Sequence, residues 1–540
     1  VSPRPFNRWL VAPFLAVFFF PIMASIGTGL FQCRIDWNNN LLGLPGSSAA
    51  APLPWSVRAW WTGDFQKSFA SWWENRCPNR SFLLRLFNQV DYSCLRSSYM
   101  LQGGIVVGPD GQLDLKDYLL DACHQTPLPP DHIARMMDKL ERLRAQLQRQ
   151  GKSLLILTTP TKAATYPATI PARFRAYAIS YPRAYDELVQ ALSRSDIPFV
   201  DGAGIVHAEA GSAPYPLFLQ GGLHWDSYAT AQVLPGLAEK VARLTGQPLA
   251  VPAITGVRLV KAKHALNQAD HDLASLLNLL SRPFSYLSPQ LDLAYPPQPA
   301  APGASIVLAG GSFTWNLLAL LGGAGREGGA NVPFAYYGTS FYDSALSLPI
   351  TRLAYERALA ASDLLVLELN EQMPETTLDA LPSVIDESAG LSASPDWEIS
   401  FAQGGNSADF TSAGFSRPEA ESRWTDGDDA VLVVPLPAGK RLYTLTAQVK
   451  PFLSGAHRRQ RIEILADDKR CGGTELASDG PATLTATFPA STLVRICFHF
   501  LDAASPSQLQ AGDDPRRLAL AFFSVQIHPT DRDLQAARRR

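Results

Sequence analysis

Between Lys152 and Asn370 the chain alternates unbroken apolar runs with amphipathic segments, and this alternation restricts the fold more than any other feature. "KSLLILTTP", "SIVLA" (305–309) and "DLLVLELN" show no polar/apolar alternation, so each reads as a strand buried on both faces. Between them lie helical patterns. Ile133, Met136, Met137, Leu140, Leu143 and Leu147 recur at helical spacing just before the first strand. "PRAYDELVQALSRS" precedes the strand "IPFVD", and "LAYERALAA" precedes "DLLVLELN". Strands alternating with helices predict an α/β fold with a parallel sheet flanked by helices. "GGIVVGPDGQLDL" reads as two short strands around a Pro-Asp-Gly turn, and "VPFAYYG" as a further strand.

From about residue 395 the pattern changes. "AVLVVPLP", "RLYTLTAQVK", "RIEILA", "ATLTATFP", "TLVRICFHF" and "LALAFFSVQI" are short strands, several with period-two alternation, between Gly/Pro/Asp turns. That is the pattern of an all-β sandwich. The expected organisation is a membrane segment over 1–34, an α/β domain over 55–390 and a sandwich over 395–530, ending in a solvated tail, "DRDLQAARRR".

The membrane segment follows from charge. Arg4 and Arg8 precede "WLVAPFLAVFFFPIMASIGTGLFQC", which carries no charge before Arg34. The run is long enough to cross a bilayer, and the leading arginines keep the start of the chain in the cytoplasm. The rest of the chain is then exported, anchored to the inner membrane and facing the periplasm. A cleavable signal peptide is the competing reading, with Ser25 and Gly27 near a cleavage point. Six cysteines suit an oxidising compartment, and Cys471 and Cys497 are expected to pair inside the sandwich. Pairing among Cys33, Cys77, Cys94 and Cys123 stays open. No C-x-x-C or Cys/His cluster points to a metal, and no cofactor is expected. Hydrophobic content of 46%, charged content of 18% and a net charge of −2 describe a globular chain that is not a nucleic-acid binder.

Two positions carry candidate chemistry. In "LAGGSFTWNLL", Ser312 follows a strand by three residues and opens a helix. Ligands of open parallel sheets sit beyond the carboxyl ends of the strands, and the Ser312 backbone N–H, with the helix dipole behind it and Gly311 beside it, could stabilise an oxyanion. Helix capping is the bland alternative. A serine nucleophile needs a base. Of nine histidines, His224 alone stands on a Gly-Gly loop just before an amphipathic helix, in "LFLQGGLHWDSYATAQV".

Together these pieces resemble bacterial exopolysaccharide O-acetyltransferases, the alginate acetylation proteins among them. "GGLHWDSYATAQV" resembles their D-x-H-W-T-x-x-G-A motif, and "LLILTTPTKAATYPATIPARF" their strand followed by P-x-K-x-x-x-Y-P-x-x-x-P. "GPDGQLDL", "GGSF" and "DLLVLELNEQ" resemble G-x-D-G-W-L-F, the nucleophile motif G-[DT]-S-F and a late strand ending in V-P-E-R. The resemblance spans roughly residues 60 to 380. It implies a circularly permuted SGNH-hydrolase-like fold, an acetyl-enzyme on Ser312 and His224 as general base. It also implies a polysaccharide acceptor and a membrane-bound acyltransferase as donor system.

The family's acid lies two residues before the histidine, where this chain has Gly222. Asp226 reads instead as the N-cap of the next helix. Either a backbone carbonyl or a remote carboxylate orients His224, or the site has become a binding site only. That leaves three readings: an O-acetyltransferase, a non-catalytic polysaccharide-binding component of a modification or secretion complex, and an acetyl esterase.

Asn370 ends a strand where SGNH enzymes place an oxyanion-hole asparagine, with a turn residue as the alternative. Trp225 is a candidate for the acceptor groove or for the core. Tyr336, Tyr337 and Thr339 would belong to the same rim if "VPFAYYG" is a sheet strand. The sandwich resembles jelly-roll modules appended to surface-polysaccharide enzymes, with Trp424 as the candidate sugar-stacking aromatic. Lys162, Arg173 and Arg175 lie near the motif region, but the nearly neutral charge favours a neutral polymer such as cellulose over an alginate-like one.

Overall fold

The computed structural model describes residues 56–66, 68, 80–98, 104–175, 180–261, 271–281, 286–296, 303–322, 332–342, 349–372, 376–388, 396–436, 442–455, 457–489 and 493–530. The expected membrane segment, Cys33, Cys77 and the C-terminal tail lie outside them. Among the described residues no helix is long and apolar enough to cross a membrane.

Two helices, α1 (Val57–Thr62) and α2 (Arg80–Val90), lead into a small hairpin of β1 (Ile105–Val107) and β2 (Leu113–Leu115). The Pro-Asp-Gly turn between these strands places Asp110 and Gly111 at positive φ, as a tight reversal requires. The chain continues through α3 (Lys116–Ala122), α4 (His132–Arg149), β3 (Ser153–Thr159), α5 (Ala184–Ser193), β4 (Phe199–Val200), α6 (Gly202–Glu209) and α7 (Ser227–Thr245). A protruding hairpin of β5 (Ala253–Lys261) and β6 (Leu287–Ala294) brackets the short helix α8 (Asp272–Leu276). Then come β7 (Ile306–Gly310), α9 (Thr314–Gly322), β8 (Phe334–Tyr336), β9 (Ser340–Tyr342), β10 (Pro349–Ile350), α10 (Arg352–Ala361), β11 (Leu364–Asn370) and α11 (Thr376–Ser388).

The main sheet has the order β10-β9-β8-β7-β11-β3-β4, parallel from β8 to β4, with antiparallel β9 and β10 at one edge. Its central strands are buried along their whole length in β7 and β11 and nearly so in β3. Alternate side chains go to opposite faces. Ile306, Leu308, Leu364 and Val366 pack under α7 and α9, while Val307, Ala309, Leu365 and Leu367 pack under α4, α10 and α11. Two covered faces explain why the sequence shows no alternation here. This is an SGNH-hydrolase-like α/β domain.

The C-terminal part is built from β12 (Trp397–Ser400), β13 (Thr411–Ala413), β14 (Arg423–Trp424), β15 (Asp429–Pro435), β16 (Leu442–Pro451), β17 (Gln460–Ala466), β18 (Lys469–Leu476), β19 (Ala482–Pro489), β20 (Leu493–Phe500) and β21 (Leu520–Pro529). One antiparallel sheet runs β12-β21-β16-β19 with β14 also on β21, and the other runs β13-β15-β20-β17-β18. Strand β17 alternates strictly between buried and half-buried positions, as one packed face requires. Strand β15 departs from that pattern for a physical reason. Ala430, Leu432 and Val434 face the sandwich interior, while Val431 and Val433 join the cluster under α10. At the same junction Arg357 lies 4.1 Å over the Trp397 ring, and Thr351 Oγ1 donates to Asp409 O at 2.7 Å.

The expected Cys471–Cys497 disulfide is absent: both are free thiols. Strand β17 lies between β18, which carries Cys471, and β20, which carries Cys497. Two strand spacings put their backbones about 9–10 Å apart, beyond disulfide reach. Cys471 Sγ donates to Ile464 O instead, and burial pushes the Cys497 thiol up to about 12. Alkylation of the denatured protein without reductant should label both residues, read by peptide mass spectrometry; an unlabelled, linked pair would contradict this arrangement.

Candidate active site

The turn that carries Ser312 begins where β7 ends. A side chain on Gly310 would meet Thr314 Oγ1 at 2.5 Å and Glu368 Cβ at 2.7 Å, so only glycine lets the chain leave the sheet this close to β11. Ser312 follows, and α9 starts two residues later, with Thr314 N–H bonded to Gly311 O and Trp315 N–H to Ser312 O.

His224 comes from a different part of the chain. Phe218 and Trp225 form a short β-bridge, and the loop between them turns at Gly221 and Gly222. Gly221 is forced by close approach, because a Cβ there would lie 2.5 Å from the Tyr286 hydroxyl. Asp226 then caps α7, its carboxylate accepting from Ala229 N–H at 2.8 Å, as its place in the sequence suggested.

The structure brings these two elements together. His224 Nε2 lies 2.8 Å from Ser312 Oγ, and the imidazole packs 4.6 Å from the Phe313 ring, centroid to centroid. Its other nitrogen, Nδ1, lies 2.5 Å from Asp272 Oδ2. The second oxygen of that carboxylate, Oδ1, accepts from Leu223 N–H at 2.8 Å and Leu273 N–H at 2.6 Å. Asp272 opens α8, between β5 and β6, and stands 48 residues after His224. It is a remote carboxylate occupying the place that Gly222 leaves empty of an acid. Nothing in "ADHDLASLL" distinguishes it from an ordinary helix-opening aspartate, which is why sequence reasoning missed it.

Four other candidates are placed differently. Trp225 is fully buried and donates from Nε1 to Phe313 O at 2.9 Å, so it does not line a groove. It braces the residue after Ser312 from the core, because the strand-like backbone turns its side chain away from the face His224 occupies. Gly311 N–H is taken by Glu368 Oε2 at 2.7 Å and is not free for an oxyanion. Asn370 is buried, its Nδ2 donating to Thr159 O at 3.3 Å and Thr159 Oγ1 at 3.2 Å, so its amide knits β11 to β3. Trp424 is half-buried on the edge strand β14, its ring against Phe452 at 6.3 Å.

Tyr336 and Tyr337 lie beside the turn that carries Ser312. Tyr337 N–H donates to Gly310 O at 2.8 Å, and Tyr336 packs on Trp315 and Tyr337 with centroids 5.8 Å and 4.5 Å away. Thr339 hydrogen-bonds back to Tyr336 O within the same turn.

Three buried ionisable groups, Glu368, Lys162 and Asp114, stand behind the site. Glu368 interrupts the apolar strand β11; burial pushes its carboxyl up, opposed by hydrogen bonds from Thr159, Gly311 and Thr314 and by the nearby His224. A charged residue inside an otherwise apolar run is itself a readable signal, since such groups are retained only where partners wait for them. Lys162 is also fully buried and donates to Leu113 O at 2.7 Å and Gln220 O at 3.3 Å, tying β2 to the loop before His224. Burial lowers its ammonium to about 8, against the attraction of Asp114 and Asp272. Burial likewise raises Asp114 to about 6. Among the described residues, no group of histidine, cysteine and carboxylate side chains is arranged to hold a metal ion.

Serine, histidine and aspartate are thus joined by hydrogen bonds at the carboxyl edge of a parallel α/β sheet. Residues 106–314 match the family model described as "SGNH hydrolase-like domain, acetyltransferase AlgX". Among solved structures the chain is similar to the O-acetyltransferase domain of Pseudomonas putida AlgJ, at 18% identity over 53% of this chain and 99% of that one, with a TM-score of 0.34. It is similar to Pseudomonas aeruginosa AlgX at 15% identity, over 79% and 94% of the two chains, TM-score 0.34. A quarter of the chain, 25%, is similar to the CBM22-1 xylan-binding domain of Paenibacillus barcinonensis Xyn10C, at 10% identity over 92% of that chain, TM-score 0.19. No curated protein matches.

The depressed Lys162 ammonium has a measurable consequence. The unfolded chain holds this proton more tightly than the folded one between about pH 8 and 10.5, so folding stability rises with pH across that window. The rise contributed by this group is up to about 3 kcal/mol, at 1.36 kcal/mol per pH unit. Urea unfolding at pH 8 and pH 10 should show it in the parent protein and a flatter profile in Lys162→Met.

Proposed function

We propose that this chain is an O-acetyltransferase that esterifies hydroxyls of an exopolysaccharide through an acetyl-enzyme on Ser312. The observation that carries the proposal is the continuous hydrogen-bonded path Ser312 Oγ–His224 Nε2 and His224 Nδ1–Asp272 Oδ2. In the first half-reaction Ser312 Oγ attacks the acetyl carbonyl of the donor and its proton passes to His224 Nε2. The resulting oxyanion collapses, the donor's alkoxide leaves with the proton from His224, and the acetyl group stays on Ser312. In the second half, His224 takes the proton of an acceptor hydroxyl, whose oxygen attacks the acetyl-serine. Ser312 Oγ then leaves and recovers the proton. Asp272 holds the imidazole in the tautomer that presents Nε2 to the serine and stabilises the imidazolium in both halves. The Ser312 N–H, free among the described hydrogen bonds once Glu368 has claimed Gly311, is the backbone donor assigned to the oxyanion.

The family match supports acetyl transfer, and the resemblance to alginate acetylation proteins supports a polysaccharide acceptor and a membrane-bound acyltransferase as donor system. The apolar run before Arg34 supports an inner-membrane anchor with the catalytic part in the periplasm. The rim tyrosines favour a sugar acceptor of low charge, cellulose-like in preference to alginate-like. An acetyl esterase is the second reading, favoured by the partial exposure of the His224 and Asp272 side chains, 17% and 24%, which lets water compete for the acyl-enzyme. Asp272 supplies the acid whose absence at Gly222 motivated a purely binding role.

The test uses the full chain with a chromogenic acetyl ester and intact-mass spectrometry. Ser312→Ala and His224→Ala should abolish turnover, with the acetyl adduct mapping to Ser312. Asp272→Asn should lower kcat by roughly 100- to 10,000-fold, the range expected when the imidazole loses its orienting carboxylate. A folded parent protein with neither turnover nor adduct would rule the proposal out. Acetyl appearing on an added glucan oligosaccharide, against free acetate alone, separates transferase from esterase.

A further inference from the structure

Glu368 lies on β11 beside the nucleophile strand. Leu367 pairs with Ala309 in the parallel register, so the next residue, Glu368, stands level with Gly310 at the start of the turn. Its carboxylate is buried at 3% exposure and takes three donors. Oε2 accepts Gly311 N–H at 2.7 Å and Thr314 Oγ1 at 3.3 Å, and Oε1 accepts Thr159 Oγ1. Two of these donors flank Ser312 directly, one residue before it and two after. The third comes from β3. One carboxylate therefore bridges three segments: the sheet at β3 and β11, the turn before the nucleophile, and the first residue of α9.

A structural account alone does not explain this group. An apolar side chain would suit the core of β11 without the expense of burying a carboxylate. What the carboxylate adds is directional restraint on a turn whose two glycines otherwise leave its backbone loose. Productive attack requires Ser312 Oγ to stay within hydrogen-bond distance of His224 Nε2, and a displacement of about 1 Å in such an arrangement lowers rate by about 100-fold.

We propose that Glu368 is a positioning residue for the nucleophile, its buried carboxylate clamping Gly311 and Thr314 so that Ser312 Oγ is held on His224. This rests on the reading of Ser312 as an activated nucleophile. The clamp acts through acceptor oxygens, so an amide, which keeps one acceptor oxygen, preserves part of it and a methyl group none. Occupying Gly311 N–H is a second consequence, because it leaves the Ser312 N–H as the oxyanion donor of this turn.

The experiment compares Glu368→Ala, Glu368→Gln and a core control, Leu381→Ala, whose leucine is fully buried on α11. Two readouts are taken on the full chain: kcat and KM on a chromogenic acetyl ester, and the rate at which a fluorophosphonate labels Ser312. The second reads serine reactivity without requiring acetyl turnover. Glu368→Ala should lose about 100-fold in kcat and in labelling rate with KM within about twofold. Glu368→Gln should recover to within about tenfold of the parent protein. Leu381→Ala, destabilised by its cavity, should keep labelling within about threefold. Glu368→Ala labelling at the parent rate overturns the proposal. So does Leu381→Ala losing as much reactivity at a matched fall in melting temperature, which would make the effect general loosening. A parent protein that labels but shows no acetyl turnover removes the transferase reading alone. A parent protein that does not label removes both.

Discussion

The parallel pairing of β7 with β11 is the constraint on which the site depends. Leu364 to Leu367 run in register with Ile306 to Ala309, so both strands reach the carboxyl edge of the sheet together. Both are buried on two faces, which allows no slippage: a one-residue shift would turn Glu368 into an apolar layer and an apolar neighbour toward the turn. With the register fixed, Gly310 must be a glycine, Glu368 must meet the turn, and Ser312 emerges above the sheet.

The second half of the site hangs on a longer connection. His224 comes from a loop closed by the Phe218–Trp225 bridge, and Trp225 reaches under α9 to Phe313 O while Asn316 Nδ2 donates back to Trp225 O. These reciprocal bonds couple the two loops through the core. Asp272 then reaches His224 from the segment between β5 and β6, held by two backbone N–H groups. A carboxylate so fixed needs no particular spacing from its histidine in sequence. It needs only a direction in space, which explains how the acid is absent two residues before His224 and present 48 residues after it.

Two of the residues that sequence reasoning offered to the oxyanion, Gly311 and Asn370, have closer structural partners. Asn370 and Gly311 both have the right chemistry, but the Asn370 amide satisfies the end of β3 and Gly311 N–H satisfies Glu368. Directly after Asn370, the buried Glu371 pairs with Arg183 at 2.8 Å and lies 2.6 Å from His207 Nε2, so this stretch anchors helices behind the sheet. The cysteines show the same limit. Cys471 and Cys497 are near in sequence and share a sheet, but an intervening strand separates them.

By itself the sequence determined the elements: apolar runs with two covered faces, helices between them, alternating strands after about residue 395, and a serine and histidine on glycine turns. These are local properties, set by periodicity and by the backbone freedom of glycine. Only the tertiary structure decided which carboxylates meet them. Asp272 meets His224, and Glu368 meets the Ser312 turn, through directions and distances created when loops far apart in the chain close over one sheet edge. A side chain's partner at such an edge is set by packing in three dimensions, and no spacing along the chain encodes it.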